Sequence, residues 1–343
     1  MLGRLMRRLI LAAMALTPVV FAQTPVVIKF SHVVAPDTPK GLAAERFKQL
    51  AEKATRGRVR VELYPDSKLY KDREELEALQ LGAVQMLAPS LAKFGPLGVR
   101  EFEVFDIPFI FPDIQSLHAI TDGRIGRTLL RKLEPKGIIG LAYWDNGFKV
   151  ISANRPVQTP SDMRGLKFRI QSSKVLDAQT RAMGASPQVT NFADAYQALK
   201  SGAADATENP PSNLLTQRMY EVQKHITVTN HGYLGYAVIV NKKFWESLPA
   251  DLRLELEAAM KAATRYANEI AQQENNEALA SLKKMSGLKV YYPTQAELAE
   301  WRRALMPVQR EIELRVGADL LSDINRETQK KAGEGWPGSV KKN

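Results

Sequence analysis

The chain has 343 residues, of which 45% are hydrophobic, and a formal net charge of +11. This length is enough for two domains that each bury a core. The basic residues are interspersed with acidic ones rather than gathered in one stripe, so the excess charge indicates attraction to small anions and no nucleic-acid partner. Cysteine is absent, which excludes disulfides, a thiol nucleophile and thiolate metal sites.

The N-terminus has the pattern of an export signal. Three arginines precede an apolar run at 9–16, and a small-residue pattern follows at 20–22. We therefore predict a cleavable signal peptide over residues 1–22. The apolar run is shorter than the ~20 residues that a membrane-spanning helix needs, and no later segment approaches that length. Export without cysteine suits the bacterial periplasm.

Strand and helix patterns alternate through the first part of the chain. Alternating or β-branched runs predict strands at 26–32, 58–64, 84–88 and 137–143. Helical periodicity predicts helices at 38–55, 72–81 and 122–133, and an aromatic, proline-punctuated connection covers 102–111. This alternation indicates an α/β domain with a mostly parallel sheet.

A second alternating system begins after the turn signal Asn146-Gly147. Strands are predicted at 149–153, from 165, at 188–190 and at 203–207, and helices at 174–183 and 192–200. We expect the run 235–241 to be a strand that returns to the first sheet. The domain crossover is therefore placed at 144–148.

The C-terminal part is helical. A continuous helical pattern runs from 249 to about 285. A helix of more than about 30 residues spans more than ~45 Å, so we expect it to brace both domains. Helices at 296–315 and 318–332 follow, and then a loose tail.

One segment favours an anion site. Residues 165–176 change from a strand pattern to a helical pattern within three polar residues, which places Arg169 and Gln171 at the carboxyl end of a strand. Open α/β proteins bind ligands there, and an arginine fork matches a carboxylate. Asn209 follows another short strand and precedes two prolines, so its amide is presented from a second strand end. A surface ion pair and a turn asparagine are the alternatives for Arg169 and Asn209.

Signatures of enzymes and metal sites are weak. The four histidines show no metal-ligand spacing, and no cofactor motif occurs, so neither a metal nor a cofactor is expected. The segments 90–93, 152–154 and 200–202 match in order the three short motifs of penicillin-binding proteins and β-lactamases. The first motif should open a long helix, but Gly95-Pro96 ends it within about two turns, and the third motif falls at a helix end. An exported serine hydrolase using Ser90 and Lys93 is therefore a remote alternative.

Several segments together resemble one family. Gly-Leu-Lys-Phe-Arg-Ile-Gln-Ser-Ser-Lys at 165–174, Met-Gly-Ala-Ser-Pro at 183–187 and Thr-Glu-Asn-Pro at 207–210 look like the solute-binding proteins of TRAP transporters. Leu-Ala-Pro-Ser-Leu-Ala-Lys-Phe at 87–94 and His-Gly-Tyr-Leu-Gly-Tyr at 231–236 are most similar to the C4-dicarboxylate branch, the DctP proteins. The resemblance covers almost all of the mature chain.

The resemblance implies an α/β, two-domain periplasmic binding protein fold with a long helix spanning both domains. We assign 23–145 and about 234–265 to the first domain, 146–233 and about 266–332 to the second, and 333–343 to the tail. The implied function is capture of a C4-dicarboxylate (succinate, malate or fumarate class) between the domains and delivery to the membrane subunits of a TRAP transporter, by a monomer that is not an enzyme. Sugar acids, keto acids and aromatic acids are the alternative ligands.

The resemblance also implies roles for individual residues. In that family an arginine at the position of Arg169 binds the ligand carboxylate, and an asparagine at the position of Asn209 adds donors. A second basic position, usually arginine, falls at Lys149, where lysine keeps the charge but loses the bidentate fork. The ring of Phe192 is expected to line the cleft.

A succinate-like dianion needs cations at both ends, so we expect the first domain to bind the second carboxylate. The remaining predicted ligand-binding residues are His32, Lys40, Ser90, Lys93, Trp144, Asn213 and Tyr236. The alternatives are solvated surface charges for Lys40 and Lys93, local loop hydrogen bonds for His32 and Ser90, and places in the core for Trp144 and Tyr236.

Overall fold

The computed structural model of the protein describes residues 24–335. The predicted signal peptide at 1–22 lies outside these residues. Of the predicted loose tail at 333–343, residues 333–335 are the end of a helix, which corrects the prediction there, and 336–343 lie outside the described residues. Within the described part of the chain, no helix is both long and apolar enough to cross a membrane.

The described residues contain eleven strands and eleven α-helices. The strands are β1 Val26–Ser31, β2 Val59–Tyr64, β3 Met86–Leu87, β4 Ile138–Phe148, β5 Val150–Ala153, β6 Lys167–Ile170, β7 Ser186–Val189, β8 Ala206–Asn209, β9 His225–Thr227, β10 Tyr233–Asn241 and β11 Lys289–Tyr291. The helices are α1 Pro39–Ala54, α2 Glu75–Gln80, α3 Ile114–Thr121, α4 Arg124–Arg131, α5 Lys174–Ala182, α6 Ala195–Lys200, α7 Pro211–Thr216, α8 Lys242–Ser247, α9 Ala250–Lys283, α10 Gln295–Val316 and α11 Ala318–Gly335.

The strands form two sheets. The first has the order β2-β1-β3-β10-β4 and the second the order β11-β9-β5-β8-β6-β7. In the first sheet β1, β2 and β3 are parallel, but β10 lies between β3 and β4 and is antiparallel to both. The prediction that β10 returns to the first sheet is therefore confirmed. β1, β2, β3 and β4 run in the same direction, which agrees with the expectation of a mostly parallel sheet, and the returning strand β10 is the antiparallel member.

The chain passes between the sheets in extended conformation. β4 ends at Phe148 and β5 begins at Val150, so the predicted crossover at 144–148 is the end of a long strand rather than a loop. Phe148 pairs with Tyr233 at the start of β10, which leads back into the first sheet. Two of the connections between the sheets thus lie side by side as paired backbone.

The helix α9 braces the molecule as predicted. Its 34 residues extend over about 50 Å, and it packs against α1, β4 and α7. Ala263, Ala267 and Ala271 recur every fourth residue and are buried. Because alanine projects only a methyl group, this stripe lets the helix lie close to its neighbours.

Five short elements were missed from the sequence. α3, α7, α8, β9 and β11 have three to eight residues, too few for a clear periodic signal. α11 packs against α3, and Ile324 is buried in the same cluster as Leu117 and Ile120. Residues 318–332 therefore pack on elements of the predicted first domain and not only on the second. The division into two domains at the stated boundaries remains a prediction.

Asn275 ties α9 to the connection between the sheets. Its Nδ2 donates to the carbonyl of Asn146 at 2.5 Å, and its Oδ1 accepts from the backbone N–H of Ser212 at 3.0 Å.

We predict that Asn275→Ala lowers the free energy of unfolding by about 2–4 kcal/mol, because two buried backbone groups lose their partners. Asn276→Ala, one position further along on the exposed face, is the matched control and is expected to change it by less than about 0.5 kcal/mol. Equal midpoints of the two variants in denaturant unfolding would contradict this role.

Candidate functional site

A small cavity lies between the two sheets. Its walls come from both halves of the molecule, by which we mean the part around the first sheet and the part around the second sheet. A molecule bound in the cavity contacts both halves. The lining residues are Val33, Val34, Lys40, Asp72, Ser90, Lys93, Arg169, Gln171, Phe192, Asn209, Asn213, Leu234 and Tyr236. Asp72, Lys93 and Gln171 also line a neighbouring pocket.

Arg169 lies near the carboxyl end of β6, as predicted, and its side chain is buried, with 2% exposed. Its Nε and Nη2 both donate to the backbone carbonyl of Thr190, at 3.1 and 2.7 Å. The other three of its five N–H donors have no acceptor, and the guanidinium has no carboxylate within 4 Å, among the described residues. Burial lowers the pKa of Arg169 from its ordinary value, with Asp72 and Glu208 opposing the shift. An arginine remains charged under such conditions, so a buried cation faces the cavity.

Lys40 faces the cavity from the first turn of α1 and is 1% exposed. Its Nζ donates to the carbonyl of Ala88 at 2.9 Å and lies 3.7 Å from the ring centroid of Tyr236. Burial lowers the pKa of Lys40 to about 7, a shift that Glu75 opposes and Lys93 increases. The alternative of a solvated surface charge is therefore wrong for Lys40.

Lys93 is also buried, but its charge is compensated. It ends the 3-10 turn Leu91–Lys93, donates to Asp72 Oδ1 at 2.9 Å and forms a second ion pair with Glu75. Burial acts to lower the pKa of Lys93, but the two carboxylates hold it above its ordinary value. Lys93 is thus a permanent ammonium with two anionic partners.

Asp72 was not predicted as a site residue. The sequence pattern placed it at the start of a helix, whereas α2 begins at Glu75, and nothing in the sequence separates it from an ordinary first-turn carboxylate. Besides Lys93, it accepts from the backbone N–H of Phe192 at 2.5 Å. Asp72 therefore connects the two walls of the cavity.

Two further contacts join the two halves. The Nζ of Lys71 donates to Asp194 Oδ1 at 2.9 Å. The hydroxyl of Ser173 donates to Asp106 Oδ2, also at 2.9 Å. Burial raises the pKa of Asp106 to about 6, with Lys149 opposing the shift. The walls are thus held together by protein groups.

The predicted amide and aromatic residues also lie in the wall. Asn209 ends β8, and Asn213 lies on α7 with its Oδ1 unpartnered and buried. The phenol of Tyr236 accepts from Asn146 Nδ2 at 2.7 Å, and burial raises its pKa, so it stays neutral. The ring of Phe192 lies 5.8 Å from the guanidinium carbon of Arg169. Neutral groups therefore lie in the wall beside Arg169 and Lys40.

Three predicted residues do not line the cavity, and Lys149 is the first. Its Nζ donates to Glu208 Oε1 at 2.7 Å. The other oxygen of Glu208 accepts from Gln179 and bonds His231, both at 2.8 Å. Burial acts to raise the pKa of Glu208, but Lys149 and His231 hold it below its ordinary value. Lys149 therefore has a structural carboxylate partner and is not part of the cavity wall, and its predicted contact with the ligand stays a prediction.

His32 and Trp144 also lie behind the wall. Burial and the neighbouring charge of Lys40 lower the pKa of His32 to about 3, so its imidazole is neutral. Trp144 is fully buried, and its Nε1 donates to Thr264 Oγ1 at 3.0 Å. For Trp144 the core alternative is the correct one.

The hydrolase motifs do not form one site. Ser90 precedes a three-residue 3-10 turn instead of a long helix, and its hydroxyl accepts from Ala92 N at 3.4 Å. The third motif lies at the end of α6, where Lys200 is exposed while Ser90 is buried. Within residues 24–335, no group of three or more His, Asp or Glu residues could hold a metal ion.

Comparisons with known proteins agree with the motifs. Residues 30–315 match the family model described as bacterial extracellular solute-binding protein, family 7, DctP. The chain is 61% identical over 304 residues to the C4-dicarboxylate-binding periplasmic protein DctP of Rhodobacter capsulatus, an alignment that covers 89% of this chain and 91% of that protein.

Solved structures have the same fold. A TRAP periplasmic solute binding protein from Shewanella oneidensis with bound succinate is 40% identical, with a TM-score of 0.87 over 89% of this chain and 100% of that chain. One from Pseudomonas aeruginosa with bound L-malate is 42% identical, with a TM-score of 0.81 over 84% and 100%. The sugar acid binding protein DctPAm from Advenella mimigardefordensis, in complex with galactonate, is 29% identical, with a TM-score of 0.86 over 89% and 98%. This chain therefore belongs to family 7 of the bacterial extracellular solute-binding proteins, the DctP family, and has the two-domain α/β fold of TRAP solute-binding proteins.

Proposed function

We propose that the protein is the periplasmic solute-binding subunit of a TRAP transporter and that it captures a C4-dicarboxylate of the succinate, malate or fumarate class in the cavity between its two sheets. The observation that carries this proposal is Arg169, a buried cation in the cavity wall without a carboxylate partner among the described residues. The ligands of the S. oneidensis and P. aeruginosa proteins and the name of the R. capsulatus relative support the same ligand class.

Arg169 is suited to bind a carboxylate. Removing a guanidinium from water costs several kcal/mol, and among the described residues no carboxylate lies within 4 Å to offset it directly, while Asp72 and Glu208 act only from a distance. A ligand carboxylate accepts charge-assisted hydrogen bonds from the donors that remain, while the bonds to Thr190 hold the planar group in place. Gln171 and Asn209 lie in the same wall and add amide groups.

Closure follows from the two-sided wall. Arg169 and Asn209 come from the second sheet, and Tyr236 comes from the first. A ligand bonds both walls at once only when the two walls are close together. Each such bond is therefore stronger in the closed form than in the open form, and this difference in free energy favours closure. We propose that the closed complex is what reaches the membrane subunits after export directed by residues 1–22.

The ligand class can be tested in a thermal-shift screen of small carboxylic acids. A ligand that binds only the folded protein raises its Tm, by an amount that grows with affinity. We expect succinate, malate and fumarate to raise the Tm more than galactonate, a keto acid or an aromatic acid at equal concentration. A larger shift with galactonate would move the protein to the sugar-acid branch of the family.

Arg169→Ala is expected to weaken succinate binding by about 2–5 kcal/mol, or at least about 30-fold, because a buried charge-assisted pair loses one partner. Isothermal titration calorimetry measures this. Arg46→Ala, an exposed arginine on α1, is the control and is expected to bind like the wild type. Affinity of Arg169→Ala within threefold of the wild type would reject the proposed site.

We expect no covalent labelling of Ser90 by a β-lactam probe. A serine nucleophile needs a neutral base beside it, and Lys93 is held as an ammonium by Asp72 and Glu75. Intact-protein mass spectrometry after incubation with fluorescent penicillin checks this. An adduct that maps to Ser90 would support the hydrolase alternative instead.

A further inference from the structure

Three cations line the cavity, and they differ in whether a protein carboxylate is paired with them. Lys93 is paired with two carboxylates. Arg169 and Lys40 have no carboxylate within 4 Å in the described part of the chain, although both are at most 2% exposed. They come from opposite halves, since Lys40 lies on α1 beside the first sheet and Arg169 on β6 of the second. The cavity therefore has two uncompensated cationic positions for one ligand.

We propose that Lys40 binds the second carboxylate of the ligand and takes up a proton as it does so, which makes the protein selective for dianions. This inference rests on the proposed function, in which Arg169 binds the first carboxylate. A dicarboxylate between the two residues would compensate both charges and connect both halves. A monocarboxylate would leave one cation buried without a partner, a costly arrangement.

The contacts of Lys40 leave N–H donors available for a ligand carboxylate. An ammonium group has three N–H donors, and one is used by the carbonyl of Ala88. The ring of Tyr236 stabilises the cation from one side. No described acidic side chain bonds the remaining donors, in contrast to Lys93.

The groups around Lys40 do not supply the missing anion. His32 at the end of the first sheet is neutral, because burial and Lys40 depress its pKa. Tyr236 on β10 is neutral as well. Asp72 and Glu75 attract Lys40 from a distance, but both are bonded to Lys93, which repels it.

The proton uptake follows from the energetics of the buried amine. Since burial lowers the pKa of Lys40 to about 7, part of the population carries a neutral amine near neutral pH. A ligand carboxylate beside the nitrogen favours the charged form and raises this pKa. Binding above pH 7 then takes a proton from solvent, and the affinity falls as the pH rises, by up to about tenfold per pH unit. Below the pKa the ammonium is already present, so the affinity becomes independent of pH while the ligand remains a dianion.

The test is isothermal titration calorimetry of the mature protein with succinate and with succinamate, which has the same length but one charge. Titrations at pH 6.5 to 9, in pairs of buffers with different ionisation enthalpies, give both the affinity and the number of protons taken up. The variants are Lys40→Met, which keeps the length of the side chain, and Lys29→Met, an exposed lysine on β1, as the control.

We expect the wild type and Lys29→Met to prefer succinate over succinamate and to take up close to one proton per succinate at pH 8. Lys40→Met should lose about 10- to 100-fold in succinate affinity, bind the two ligands about equally and show neither the uptake nor the pH dependence. Wild-type titrations need no altered protein, so zero proton uptake at pH 8 would overturn the inference even if Lys40→Met failed to fold. A folded Lys40→Met with unchanged preference would overturn it too. If the wild type bound no dicarboxylate at all, the proposed function itself would fall.

Discussion

The structure depends on a guanidinium that is buried with no carboxylate within 4 Å among residues 24–335. The backbone N–H of Thr190 donates to the carbonyl of Ile170, and the carbonyl of Thr190 accepts from two nitrogens of Arg169. This fixes the plane of the side chain against the edge of the second sheet. The guanidinium has already lost its hydration in the folded protein, and an anion that binds to it offsets this free-energy cost. The preference for an anion is therefore set by the fold before the ligand binds.

The placement of acidic residues separates structural cations from binding ones. Lys149 and Lys93 are buried like Arg169, yet both are paired with carboxylates from other elements, Glu208 for the first and Asp72 and Glu75 for the second. Such pairs compensate the charge and hold neighbouring elements together. A buried cation is available to bind a ligand anion where no protein carboxylate is paired with it.

The sequence predicted the features that depend on local pattern. The helix α9 followed from its periodicity, and Arg169 and Asn209 followed from strand ends and family motifs. Lys149 shows the limit, because its partner Glu208 lies 59 positions away and the residue type alone does not reveal the pair. Asp72 shows the same limit, since its partner Phe192 is 120 positions away. Contacts between distant segments depend on how the sheets meet, which periodicity does not describe.

The contacts that join the two halves have a consequence for recognition by the membrane subunits. The pairs Lys71 with Asp194 and Ser173 with Asp106, and the bond from Phe192 to Asp72, are made by protein atoms alone. None of them uses a ligand atom, so under the proposed function the same pairs are available to hold the walls together for any acid that fits the cavity. A transporter that recognises the closed form accepts whatever has closed the protein. Under the proposed function, the choice among acids is then made at the cavity, before the protein meets the membrane subunits.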